Sequence, residues 1–301
     1  MLMRSFIYLL IICLSSVLSS DFSFGKDIHK EKSHYQNIVV RDKGDERCLL
    51  FSVKREDRNQ TCMDLKKPGR LVFSYTRMSL GGLLLNQNPK KILIIGLGGG
   101  SIPNTLSTLY PNSIMDIVEI DSAVLRVAKT YFNFSETENV RVYISDARVF
   151  VKRAGVKKQH YDLIILDAFT GEYIPEHLMT LEFLSETKRL LTNKGVLVAN
   201  TFSTSRLYDH ESATYQKVFG DFLNFKMPNT GNRVILVRPG DPIGQEELRN
   251  AAKSLSAALF DFGVDIDRFP LYMSRHKDWR QDARPLSDQF NPANLLQSES
   301  Y

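Results

Sequence analysis

The sequence predicts an α/β fold of the Rossmann-like kind, with a small N-terminal β domain in front of it. Three observations carry that reading. From Lys90 onward, apolar runs alternate with segments of helical period, as a parallel sheet covered on both faces requires. The glycine-rich turn Gly96 to Gly100 directly follows the first of those runs and directly precedes a helix with Pro103 in its opening turn. An acidic pair, Glu119 and Asp121, ends the second run, about 20 residues after the glycines.

Taken in order, the chain opens with MLMR and the apolar stretch SFIYLLIICLSSVLSS. A short positive start, an apolar run and small residues are the build of a secretory signal peptide. The run is too short and too rich in serine for a comfortable spanning helix, which needs about 20 predominantly apolar residues. Residues 1–25 therefore read as a leader, cut after Ser19 or Gly25, that exports the protein to the periplasm or beyond. The alternative is an uncleaved membrane anchor. Cys13 follows Ile11 and Ile12, which does not suit a lipoprotein site. Cys48 and Cys62 lie in CLLFSV and QTCMDL, on either side of KREDRN, where a cross-strand disulfide and two unpaired thiols both fit. Asn59-Gln60-Thr61 and Asn133-Phe134-Ser135 match the glycosylation triplet, a pattern that often arises by chance.

Short alternating runs from Tyr35 to Tyr75 assign a small β domain to 33–80. The Rossmann-like core takes 88–240, with strands KILIIG, MDIVEI, VRVYIS, YDLIIL and VLVANTF. Helices are expected from Ser101, Ser122, Ala147 and Pro175, the last running through PEHLMTLEFLSETKRLL to end at Asn193 to Gly195. A helix around Arg206 to Phe219 follows. LNFKMP and NRVILVRP flank the turn Asn229 to Asn232 and read as an antiparallel hairpin at the sheet edge. Residues 241–301 hold one amphipathic helix, EELRNAAKSLSAALFDFG, and a polar tail.

The bulk numbers narrow the function. With 301 residues, 43% hydrophobic and 24% charged, the chain can bury a full core. Its net charge of +5 is spread along the chain, so it singles out neither nucleic acid nor membrane as a partner. The six histidines show no ligand spacing, so no metal is expected. There is no G-x-S-x-G elbow and no P-loop, which removes hydrolase and nucleoside triphosphatase readings.

The chemistry gathers at the carboxyl ends of the predicted strands. Gly96, Gly98 and Gly100 let the backbone approach a ligand closely, with the N–H groups of the helix start facing it. Glu119 is placed to accept from ribose hydroxyls, and Asp121 to cap the next helix. Asp146-Ala147 can meet an adenine amino group, or Asp146 can serve as an N-cap; both stay open. Asp167 closes the fourth strand, facing the crevice where open α/β sheets bind ligands, and there it can take a proton from an incoming nucleophile.

Together these stations resemble the spermidine synthase family of polyamine aminopropyltransferases, whose fold is a small β domain on an S-adenosylmethionine-dependent methyltransferase core. The likeness runs from SHYQNIVV at Ser33 through FSYTRM at Phe73, VEID at Val118 and YDLIILDA at Tyr161 to the hairpin near Arg238. It implies S-adenosylmethionine or its decarboxylated form as co-substrate, held by Gln36, Glu119, Asp146 and Ala147, with Asp167 as catalytic acid/base. It also implies a small-molecule acceptor of the polyamine type, with Tyr75 and Thr170 on the acceptor side, and a homodimer as in many relatives.

Three departures fall on the acceptor side. Gly99 and Thr170 stand where the family carries aspartates, and Arg77 where a glutamate is usual. Each carboxylate near a dication is worth on the order of 3–4 kcal/mol before screening. An altered polyamine site is therefore expected unless Glu172 or Glu176 compensates, with methyl transfer as the other reaction. DAFTGEYIPEHLMTLEFL and PLSDQFNPANLL resemble a divergent spermidine synthase-like branch. The alternative function is a catalytically silent nucleoside-binding or scaffold module.

Overall fold

The computed structural model describes residues 25–53, 56–169, 174–240 and 243–290. Alternating apolar and polar residues make its first part a four-stranded antiparallel meander of β1 (Lys26–Lys32), β2 (Asn37–Lys43), β3 (Glu46–Val53) and β4 (Glu56–Asp64). One face buries Ile38, Val40, Leu49 and Phe51 against Val124, Val127 and Phe132 of the larger part. Each such side chain contributes roughly 1.5–3 kcal/mol when fully buried. On the other face Cys48 and Cys62 oppose each other in register and form a disulfide.

The remaining elements build an eight-stranded sheet in the order β12-β10-β11-β9-β8-β5-β6-β7. Its parallel strands are β5 (Lys91–Ile95), β6 (Ile114–Glu119), β7 (Val140–Ile144), β8 (Tyr161–Leu166) and β9 (Leu191–Phe202). β10 (Leu223–Phe225) and β11 (Asn232–Val237) continue it antiparallel, as the hairpin reading expected, and β12 (Met273–Ser274), not foreseen in the sequence, pairs antiparallel with β10 at the edge. Helices α1 (Ser74–Ser79), α2 (Ser101–Leu109), α3 (Ser122–Tyr131), α4 (Ala147–Val156), α5 (Leu181–Arg189), α6 (Tyr208–Phe219) and α7 (Gln245–Phe260) cover both faces.

That sandwich explains the unbroken apolar runs. Ile92, Ile94, Leu163, Ile165, Val196 and Val198 pack into one buried cluster with Met78 and Leu248, while Leu93, Ile95, Ile164, Leu197 and Ala199 enter the other with Val151, Phe183 and Tyr215. The chain lays β6 and β7 to one side of β5, then crosses to lay β8 and β9 on the other. The reversal leaves a crevice beyond the carboxyl ends of β5 and β8, where ligands bind in such sheets.

Three expectations change. β1 lies ahead of the predicted start of the β region. The helix expected from Pro175 to Asn193 is broken: a 3₁₀ turn spans Glu176–Leu178, Thr180 caps α5 through Phe183 N–H at 3.3 Å, and α5 stops at Arg189. Asn193 to Gly195 belong to β9, at an irregularity in its pairing with β8. The polar tail is also more than a tail. Trp279 stacks on Phe222 at 5.1 Å, Leu286 N–H donates to Thr214, and Arg148 donates to Asp288 at 2.7 Å.

Candidate active site

A cleft of about 1210 Å³, counted out to its open mouth, lies over the carboxyl ends of β5, β6 and β8. Gln36, just ahead of β2, and Gln60 and Thr61 of β4 also line it. Of the residues expected from the sequence, Gln36, Tyr75, Gly96, Gly98, Glu119, Asp146, Ala147 and Asp167 line it. Gly100 does not: it turns the chain into α2 at φ +80, with Phe134 packed against it. Thr170 and Glu172 lie outside the described residues.

Gly96 sits at the switch point itself. Its φ is +99, and a Cβ there would meet the Asp167 carbonyl oxygen at 2.2 Å. A side chain would thus have to push β5 and β8 apart. Gly96 N–H donates to the Val118 carbonyl at 2.8 Å and Asp167 N–H to the Ile95 carbonyl at 2.8 Å, so the ladder reaches the cleft floor.

Glu119 ends β6 with both carboxylate oxygens engaged by backbone. Oε2 accepts from Leu97 N–H at 3.1 Å and Oε1 from Asp121 N–H at 2.9 Å. Burial raises its carboxyl above the usual range, against those bonds. Each oxygen keeps a lone pair, which suits a sugar hydroxyl. Asp121 caps α3 through Ala123 N–H at 2.9 Å, as expected from the sequence. Asp146 caps α4 through Val149 N–H at 3.0 Å and also meets His177 Nε2 at 2.9 Å, so its cap role does not remove it from the cleft.

Asp167 stands where β8 ends. Burial pushes its carboxyl up to about 7, and the Asn200 amide, donating to Oδ1 at 2.9 Å, works against that rise. Tyr75 donates its hydroxyl to the Gln60 carbonyl at 2.9 Å; burial, then the neighbouring Asp167 charge, keeps the phenol protonated. Sequence reasoning missed Asn200, Gln60, Thr61 and His177. For Asn200 a cue existed: an amide in the apolar strand VLVANTF must find a partner if buried.

Two of the three departures lose their force in this geometry. Arg77 donates to the Leu71 carbonyl at 3.1 Å and to Ser74 Oγ at 3.2 Å, and is not a lining residue of the cleft. Gly99 packs under β4, where a Cβ would meet Thr61 Cγ2 at 2.2 Å and Phe132 at 3.2 Å. Gly99→Asp is therefore expected to destabilise the chain by roughly 1–3 kcal/mol through overpacking, read as a lower thermal midpoint. An unchanged midpoint would show that β4 yields at that contact.

The spermine/spermidine synthase domain matches residues 72–228, just over half of the chain. A polyamine aminopropyltransferase of Vibrio vulnificus is 55% identical over 292 residues, covering 95% of this chain and 97% of its own length. The chain belongs to the spermine/spermidine synthase family. It is accordingly a transferase enzyme, with the Rossmann-like, methyltransferase-type sheet and N-terminal antiparallel sheet expected. A probable spermidine synthase from Corynebacterium glutamicum shares the fold, with a TM-score of 0.66 at 20% identity, covering 87% of this chain and 97% of that one. Human methyltransferase-like protein 13, solved with SAH, matches with a TM-score of 0.59 at 26% identity over 62% of this chain and 93% of its own.

The family overturns the expected location. The expected periplasmic, secreted or membrane-tethered location is corrected by the close identity to a polyamine aminopropyltransferase over 95% of the chain. An apolar run of that length suits other settings as well as a leader. No helix among the described residues is long and apolar enough to cross a membrane, and residues 1–24 lie outside them.

Proposed function

We propose that the chain transfers an aminopropyl group from decarboxylated S-adenosylmethionine to an amine of the polyamine class, with Asp167 as the base. The observation that carries this reading is the Asp167 carboxylate at the end of β8, in an open cleft it shares with the glycine turn and Glu119. The name of the Vibrio vulnificus relative supports the choice of group.

Glu119 takes the ribose hydroxyls and Gly96 and Gly98 pass beneath the nucleoside, with Gln36 beside it. Ala147, Ile120, Pro175 and Leu178 offer the adenine an apolar slot, and Asp146 stands at its edge for the amino group. The sulfur is turned toward Asp167 and Tyr75. The acceptor nitrogen then attacks the carbon next to sulfur. The new C–N bond forms as the C–S bond breaks, methylthioadenosine leaves with the electron pair, and the proton on nitrogen passes to Asp167. Alignment of the two reactants supplies most of the acceleration, and the base a further factor of roughly 10²–10⁴. No metal enters this scheme, and a homodimer stays the expected assembly.

Incubating the full chain with decarboxylated S-adenosylmethionine and putrescine should yield spermidine and methylthioadenosine by mass spectrometry. Methyl transfer from S-adenosylmethionine to an acceptor, with no spermidine formed, would replace this reading by the methyltransferase one. Failure of either co-substrate and of methylthioadenosine to bind would leave only the silent module.

A further inference from the structure

A carboxylate base has two oxygens, and here one of them is already taken. Asn200 lies within β9, 3% exposed, and its Nδ2 donates to Asp167 Oδ1 at 2.9 Å. Its own Oδ1 faces Asn232 Nδ2 at 3.5 Å, and Asn232 Oδ1 accepts from Thr230 Oγ1 at 3.0 Å. A directed line of donors thus runs from the turn between β10 and β11 to the carboxylate. The opposite amide orientation would aim a carbonyl oxygen at an ionised carboxylate, so the network settles which atom of Asn200 points where.

We infer that Asn200 is a positioning residue for the transfer: it holds Oδ1 of Asp167 as a permanent acceptor and so reserves Oδ2 for the proton leaving the amine. Asn232 holds Asn200 in turn. The inference rests on Asp167 acting as the base. When the new C–N bond forms and sulfur keeps the pair of the broken C–S bond, the proton goes to Oδ2. Oδ1 then still accepts from Asn200, and the carboxyl group need not rotate. The Asn200 bond also opposes the burial that favours the neutral acid, so that the carboxyl is held near 7 and no higher. Among the described residues, the other titratable group facing Asp167 is Tyr75, which burial keeps protonated.

The test compares Asn200→Leu, Asn232→Ala and the double variant with the unmodified chain, using decarboxylated S-adenosylmethionine and 1,4-diaminobutane. Methylthioadenosine affinity serves as the binding control. Asn200→Leu should lower kcat by roughly 30–100-fold, leave KM for the nucleoside substrate within about twofold, and move the acid limb of the pH profile upward. Asn232→Ala should show a smaller loss of the same kind. The double variant should be no worse than Asn200→Leu, because the two act in series. An unshifted acid limb with kcat retained, or losses that simply multiply, would overturn the inference; so would a fall in nucleoside affinity matching the fall in kcat. If Asn200→Leu does not fold, Asn232→Ala, on a half-buried residue, carries the test alone. Asp167→Asn separates the two levels. Full turnover in that variant removes Asp167 as the base, whereas a dead Asp167→Asn beside an active Asn200→Leu removes only the relay.

Discussion

Asp167→Asn will lower turnover by roughly 10³-fold while leaving methylthioadenosine affinity within about twofold, because a positioned base, the role proposed for Asp167, contributes about 10²–10⁴ and the proposed nucleoside contacts lie elsewhere. The asparagine keeps an oxygen for the Asn200 amide, so the cleft keeps its shape. The same substitution has a second effect with a definite sign. Burial lifts the Asp167 carboxyl from its ordinary 3.8 to about 7, so between those values the folded chain binds more protons than the unfolded one. Stability therefore falls as pH rises through that window, and the penalty is fully present above it. Removing the charge should stabilise the protein at pH 8 by roughly 1–3 kcal/mol, less than the full shift implies because the cleft is open to solvent. At pH 4 the gain should vanish. Thermal melts of both proteins at the two pH values decide it; an equal gain at both would mean that the carboxylate's charge is not its source. For the unmodified enzyme, the same value places the acid limb of kcat/KM near pH 7.

Gly96→Ala should be the most damaging single-atom change in the cleft. A left-handed backbone and a contact at 2.2 Å to the Asp167 carbonyl oxygen act together, and neither can be relieved by a side-chain rotation. Strain of this kind costs about 1–3 kcal/mol, and overpacking a comparable amount. A fall in thermal midpoint of about 6–12 °C is expected for a chain of this size, together with loss of methylthioadenosine binding. Calorimetry of both properties checks it. Unaltered melting and affinity would mean that the two strand ends have room to part.

How much of this could be read in advance depended on the kind of signal. KILIIG, MDIVEI and YDLIIL announce buried parallel strands because both faces of such strands must be apolar, and the residue after each run marks the sheet's ligand-binding edge. Glu119 and Asp167 were therefore legible. β1 was not: KDIHKEK is almost entirely polar and pairs through its backbone, helped by ion pairs of Asp27 with Arg41 and Glu31 with Arg126. The break before α5 was written at Thr180, a residue that caps more readily than it propagates, but the apolar period on both sides masked it. Arg77 misled for another reason. Its charge is plain in the sequence, while the direction in which α1 points it depends on packing. Gln60 and Thr61 reach the cleft, and Asn200 reaches Asp167, from elements far apart in the chain, so their meeting is a property of the topology.

With Glu119 as the proposed ribose acceptor, the two backbone N–H groups on it mean that the sugar's seat would be assembled before any sugar arrives. Leu97 belongs to the glycine turn and Asp121 to the entry of α3, so one carboxylate staples two loops that would otherwise be free to drift. Binding then spends little on ordering the protein, and affinity can come from contacts with the nucleoside itself. The same economy makes Glu119 hard to replace piecemeal: a lineage that altered its nucleoside would have to rebuild the floor of the site along with the grip.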